Sequence, residues 1–154
     1  MIRAFALAMA VVALTSIGAT AADDHVMVSP DQLKWGATPP SFPKGGQLAV
    51  VTGDPSKEGM YVIRLKLPAG YKVAAHQHPQ DENLTVISGQ VKFGMGDKAD
   101  ESNTTAFKTG AFVKASKGMT HFVFFPEETI LQVHGMGPQG INYVNAADDP
   151  RKSN

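Results

Sequence analysis

The chain has 154 residues, of which 43% are hydrophobic, with 14 Lys and Arg against 14 Asp and Glu and no cysteine. A balanced charge without a basic run excludes the usual surface for nucleic acid or an anionic membrane. The missing cysteine excludes disulfide staples and thiolate metal sites, and the length suits one domain held by packing.

Residues 1–21, MIRAFALAMAVVALTSIGATA, place Arg3 before an apolar run and end on Ala19-Thr20-Ala21, the pattern of a cleavable secretory signal. A membrane anchor would need about 20 predominantly apolar residues, whereas this run is broken by Thr15, Ser16 and Gly18 and followed by Asp23 and Asp24. Cleavage after Ala21 is expected, leaving a periplasmic or secreted chain with no membrane attachment. Residues 22–46 form an N-terminal segment and loop. His25 reads as part of a mobile terminus. Ser29-Pro30-Asp31 offers an N-cap followed by proline at the first helical position, which predicts a turn or two of helix setting Trp35 against the body. PPSFPKGG then reads as a loop.

From residue 47 to 145 the pattern is short apolar runs between turn residues: QLAVV, MYVIRLKL, YKVAAH, LTVIS, QVKFGM, AFVKA, THFVFF, TILQVH and INYV. Strands at roughly 8–12-residue spacing with glycine-bearing turns predict an all-β sandwich or barrel. GDKADESNTT reads as a surface loop, and residues 146–154 as a polar tail.

Within GYKVAAHQHPQDENLTVISG, side chains one residue apart on a strand project to the same side, so His76 and His78 reach one point. Pro79-Gln80-Asp81 supplies a turn, after which Glu82 opens the next strand and leans over the same face. His121, in GMTHFVFF, starts another strand. Any one of these could be an ordinary surface or satisfied core side chain. Several uncompensated polar groups on a covered face would each cost roughly 1–3 kcal/mol, so a shared metal is the more economical reading. Imidazole and carboxylate suit a divalent first-row ion, with manganese, iron, nickel, copper and zinc all admissible.

These residues resemble the motifs of the cupins. The first cupin motif is glycine, five residues, His-x-His, three or four residues, glutamate, six residues, glycine, and Gly70, His76, His78, Glu82 and Gly89 fit it with every spacing intact. The second is met by Gly110, Gly118 and His121, while Ser116 stands for its proline and Phe125 for its asparagine. The resemblance spans roughly residues 49–144. It implies a single cupin jelly-roll barrel whose four motif residues, His76, His78, Glu82 and His121, bind one metal ion, and the family's habit of pairing through strands implies a homodimer.

Phe125 lies four residues after His121 and so on its side. Facing inward, it would line the substrate pocket and favour a substrate with an apolar body; alternatively Phe122, Phe124 and Phe125 are simply core. In TILQVH, Ile130, Gln132 and His134 share one side. Gln132 is thus a candidate to line the cavity and His134 to act there as a base or as a ligand's hydrogen-bond partner, against the alternative of a solvent-facing pair. Arg64 is a candidate carboxylate anchor, against an ordinary outward arginine. Four ligands on an ion that accepts five or six leave positions open. The expected function is therefore a metal-dependent enzyme of dioxygenase or isomerase type acting on a small organic molecule, with Glu82 and His134 as candidate catalytic groups. The rival is a non-catalytic module that binds a small molecule or the metal itself.

Overall fold

The computed structural model describes residues 25–152, so the expected signal segment 1–21 lies outside the described residues. The nine apolar runs become strands, joined by two that the sequence reading did not contain. In chain order they are β1 (Gly36–Ala37), β2 (Gln47–Thr52), β3 (Gly59–Leu67), β4 (Lys72–Gln77), β5 (Glu82–Ser88), β6 (Gln90–Met95), β7 (Thr105–Lys108), β8 (Phe112–Ala115), β9 (His121–Phe124), β10 (Thr129–Gly137) and β11 (Asn142–Tyr143). The additions are β1, two residues long, and β7, which begins at the end of the expected loop. β7 pairs only with β6 at the edge of its sheet and is mostly exposed, so it carries no burial alternation to be read.

Every pairing is antiparallel. Six strands form one sheet in the order β1-β2-β3-β10-β5-β8, and five form the other in the order β11-β4-β9-β6-β7. Both sheets bury one face, as period-two alternation demands. Ile63, Leu65, Leu67, Leu84, Val86, Leu131 and Val133 cover the inner face of the first sheet; Val73, Val91, Phe93 and Val123 cover that of the second. Burying each such side chain contributes about 1.5–3 kcal/mol, and this shared core gives the all-β jelly-roll barrel its cohesion without disulfides.

The tight β5–β6 connection explains one motif glycine. Gly89 sits at φ +79°, and a Cβ there would lie 2.5 Å from the Glu128 carbonyl oxygen and 2.7 Å from Thr129 Oγ1, so neither the conformation nor the space admits a side chain. The N-terminal helical turn is a single 3-10 turn, Pro30–Gln32. The Ser29 N–H donates to Gln32 Oε1 at 2.8 Å, and Lys66 Nζ lies 4.6 Å from the centre of the Trp35 ring. No helix among the described residues is long and apolar enough to cross a membrane.

Candidate metal centre

His76, near the end of β4, stands directly opposite His121, the first residue of β9. His78 follows two residues later, where the chain leaves the strand. Glu82 opens β5 in the other sheet, flanked by Gly135 of β10 and Ala115 of β8. The imidazoles and the carboxylate thus come from different sheets to one place, and all four residues are buried. The ring centroids of His76 lie 4.2 Å from those of His121 and 4.9 Å from those of His78. One nitrogen from each ring falls within 4.8 Å of the others, a spread that small rotations close around an ion about 2 Å from each.

Backbone carbonyls fix which nitrogen is available. Nδ1 of His76 lies 2.7 Å from the Ala74 oxygen, Nδ1 of His78 2.7 Å from the Gly140 oxygen, and Nδ1 of His121 3.2 Å from the Met119 oxygen. A carbonyl only accepts, so each Nδ1 carries a proton and Nε2 is the nitrogen each ring turns away from its carbonyl, the arrangement that outer partners impose on ligating histidines. His78 Nε2 is buried without a hydrogen-bond partner, yet lies 3.2 Å from Glu82 Oε2. A lone pair facing a carboxylate away from water requires a positive species, either a proton or a metal ion. The residues present therefore fit a divalent cation.

The electrostatics of the four groups agree. Burial, helped by His121 and His78, pushes His76 down to about 3. Burial likewise lowers His121 below the ordinary histidine value. For His78 burial also opposes charge, but the adjoining Glu82 carboxylate outweighs it and the pKa is raised. Burial disfavours the Glu82 carboxylate, and the three imidazoles, His78 foremost, reverse this and hold its pKa below normal. Two neutral rings and one charge-paired ring are thus presented to the cavity.

That cavity is small, about 30 Å³, and apart from the four polar residues its lining is almost wholly apolar. Phe125, 1% exposed, is part of the wall, and Phe93 stacks on His121 at 4.9 Å with a 9° interplanar angle. Phe42, from the proline-rich loop before β2, also lines it. Tyrosine hydroxyls pin that loop: Tyr71 donates to the Pro43 oxygen at 2.5 Å and Tyr143 to the Ser41 oxygen at 2.9 Å. Behind Glu82, Tyr61 stands on the far side of Gly135 in the strand row. A Cβ on Gly135 would be 3.4 Å from the Tyr61 hydroxyl, so the phenol lies across the glycine. Burial, and next the Glu82 charge, raises the Tyr61 pKa. Gln139 lines the same recess with Tyr61, His78 and Glu82, and its Nε2 is buried without a partner. Phe42, Tyr61, Phe93 and Gln139 are absent from the sequence expectations; Tyr61 and Phe93 lie on the inward alternation of β3 and β6, whereas Phe42 and Gln139 lie outside the strands.

Three expected site residues need correction. Arg64, Gln132 and His134 do share one side, and Arg64 Nε donates to Gln132 Oε1 at 3.2 Å, but that side is the outer face of the six-stranded sheet. Their neighbours Ile63, Leu65, Leu131 and Val133 fill the inner face, so none of the three lines the cavity around the histidines. Alternation groups residues by side; the greater apolar bulk of the neighbours decides which side is buried.

No curated protein matches the sequence at a significant level. Among solved structures, the polyketide cyclase RemF from Streptomyces resistomycificus superposes with a TM-score of 0.67 at 14% identity, covering 82% of this chain and 89% of that one. An acetylacetone dioxygenase from Acinetobacter johnsonii gives 0.61 at 18% identity, covering 84% and 83%. An RmlC-like cupin from Shewanella frigidimarina gives 0.57 at 11% identity, covering 73% and 91%. At such identities the likeness shows the fold alone. The sequence itself matches the ChrR cupin-like domain over residues 23–139. With most of its length matched, its barrel shared with solved cupins and three buried histidines gathered within it, this chain belongs to the ChrR cupin-like family.

Proposed function

We propose that His76, His78 and His121, with Glu82 facing them, hold one divalent first-row ion, and that the protein is a metal-dependent enzyme of dioxygenase or isomerase type acting on a small organic molecule. The observation that carries this reading is the convergence of one nitrogen from each of three buried histidines within 4.8 Å, beside the buried Glu82 carboxylate. Three imidazole donors and one carboxylate suit manganese, iron, nickel, copper or zinc. A bound ion would supply Lewis-acid polarisation of a substrate oxygen or activation of dioxygen. The chain's own contribution is to hold the donors with backbone carbonyls, to exclude water with apolar walls, and to move a proton at Glu82, the only carboxylate lining the cavity among the described residues. Desolvation strengthens each of these charge interactions. The apolar wall at Phe125 favours a substrate with an apolar body. A polyketide cyclase and an acetylacetone dioxygenase share the fold, which supports an oxygenated organic substrate and makes acetylacetone a reasonable first probe.

A specific observation favours a second reading, a metal-binding module without turnover. Pockets for drug-sized ligands span about 300–1,000 Å³, and this cavity is about 30 Å³, room for a metal ion and a water but not for an organic substrate. Dioxygen uptake and substrate loss by the iron-, manganese- and nickel-loaded protein, assayed with acetylacetone and related small carbonyl compounds, separate the two. Turnover that disappears on chelation supports the enzyme. Tight metal binding with no turnover across the set leaves the binding module. Export after cleavage at Ala21 and assembly as a homodimer belong to the same proposal. The first rests on the pattern of residues 1–21, and the second on the edge position of β8 with its exposed Phe112.

A further inference from the structure

The outer face of the six-stranded sheet carries a cluster of donors unlike those inside the barrel. Met60 of β3 and Met136 of β10 are direct cross-strand partners, and both are largely exposed, at 62% and 56%. Directly opposed residues on antiparallel strands have Cβ atoms about 4.5–5.5 Å apart, within reach of one another for a side chain with three rotatable bonds. His134 precedes Met136 by two residues and therefore projects from the same face. It pairs in register with Val62 and Asn83, which places it diagonal to Met60. All three line one open groove of about 520 Å³, with Gln80, Asp81, Asn83 and Lys117. Among the described residues, no hydrogen bond to the His134 ring accompanies the one to its backbone oxygen.

We propose that Met60, Met136 and His134 form a second metal site, which binds a soft monovalent ion, Cu(I). Two thioethers and an imidazole are neutral, polarisable donors, the set that favours Cu(I) over hard or divalent ions. The charges around the groove point the same way. Its one carboxylate, Asp81, is already engaged by Lys114 Nζ at 2.8 Å and by the Lys117 backbone N–H at 2.8 Å. With Asp81 engaged and Lys117 adding a positive charge, the groove opposes a dication more strongly than a monovalent ion. The site is separate from the histidine centre, although its strands β3 and β10 lie in the sheet that also carries Glu82. Tyr61 and Gly135, the residues adjoining Met60 and Met136, face the opposite side of the sheet, toward Glu82.

Methionine-methyl NMR tests this directly, because the protein contains its own control: Met27 is also exposed, at 87%, but lies outside both sheets and off the groove. The protein, with Zn(II) first supplied to the barrel, is titrated with Ag(I) as a redox-inert probe and then with Cu(I) under anaerobic conditions. The expected result is a saturable shift of the Met60 and Met136 methyl signals and of the His134 ring at one equivalent, with Met27 unmoved. The paired changes Met60→Leu and Met136→Leu, both at the surface, should abolish the His134 response and leave the Zn(II) content unaltered. The methyl signals report on the outer site whether or not the barrel takes up zinc. Equal shifts at Met27, or saturation that survives the double substitution, would overturn the site. So would methyl signals that move with protein concentration and ignore the ion, which would make the pair a contact between copies.

Discussion

At the scale of single residues, Glu82 and His78 carry opposite halves of one charge problem, and pH separates them. In the metal-free protein His76 and His121 are held neutral by burial, whereas in the unfolded chain they take up protons below about 6.5. The unfolded state then binds more protons, so stability falls as pH drops from about 6.5 toward the His76 value of about 3. His78 works in the other direction. Its raised pKa gives stability that is fully present below about 6.5 and is lost as pH climbs through the folded value. Denaturant unfolding in the presence of chelator should therefore show maximal stability near pH 6.5, with a decline on both sides. Bound metal displaces the His78 proton, so metal affinity should rise with pH over the range in which apo stability falls. Glu82→Gln keeps the shape of the side chain and removes its charge. Metal affinity measured by competition should fall by about tenfold or more, on the scale known for altered groups around metal sites.

At the scale of elements, the loop before β2 closes part of the wall around the centre. Phe42 is 7% exposed and part of the cavity wall, while the hydrogen bonds from Tyr71 and Tyr143 hold its neighbours Pro43 and Ser41. Phe42→Ala should cost about 3–5 kcal/mol by the lost burial and the void left behind. It should also speed removal of the metal by chelators, read as a faster exchange rate at constant pH. Strands explain what could be read beforehand and what could not. His76, His78 and Glu82 were legible because their spacing is local and period two is strict. His121 needed its strand to land beside β4, which only the resemblance to a known motif supplied. Tyr61 reaches the neighbourhood of Glu82 through the row β3-β10-β5, and Gln139 arrives after the chain has left β10. Neither contact leaves a trace in nearby sequence. Gln132 and His134 share a side as expected, and with Arg64 they take the outward of the two orientations that alternation allows, because alternation alone does not say which face is covered.

At the scale of the molecule, one apolar core joins the two sheets and also walls the centre, so stability and site share residues such as Leu131, Val133 and Val123. With no cysteine in the chain, the unfolding midpoint should be indifferent to reducing agents. The proposed homodimer places edge strand β8 and its Phe112, 56% exposed, at the contact. Phe112→Asp should then shift the sedimentation coefficient to that of a monomer while leaving the circular dichroism spectrum intact; an unchanged coefficient would remove β8 from the interface. The most direct measurement of the whole account is metal content by mass spectrometry, made on the protein and on its His121→Ala variant purified side by side without chelator, with folding checked in parallel. One divalent ion per chain in the first, and its loss from a still-folded variant, is the result predicted here. Equal metal content in both, or none in either after reconstitution, would contradict a shared centre at His76, His78, Glu82 and His121.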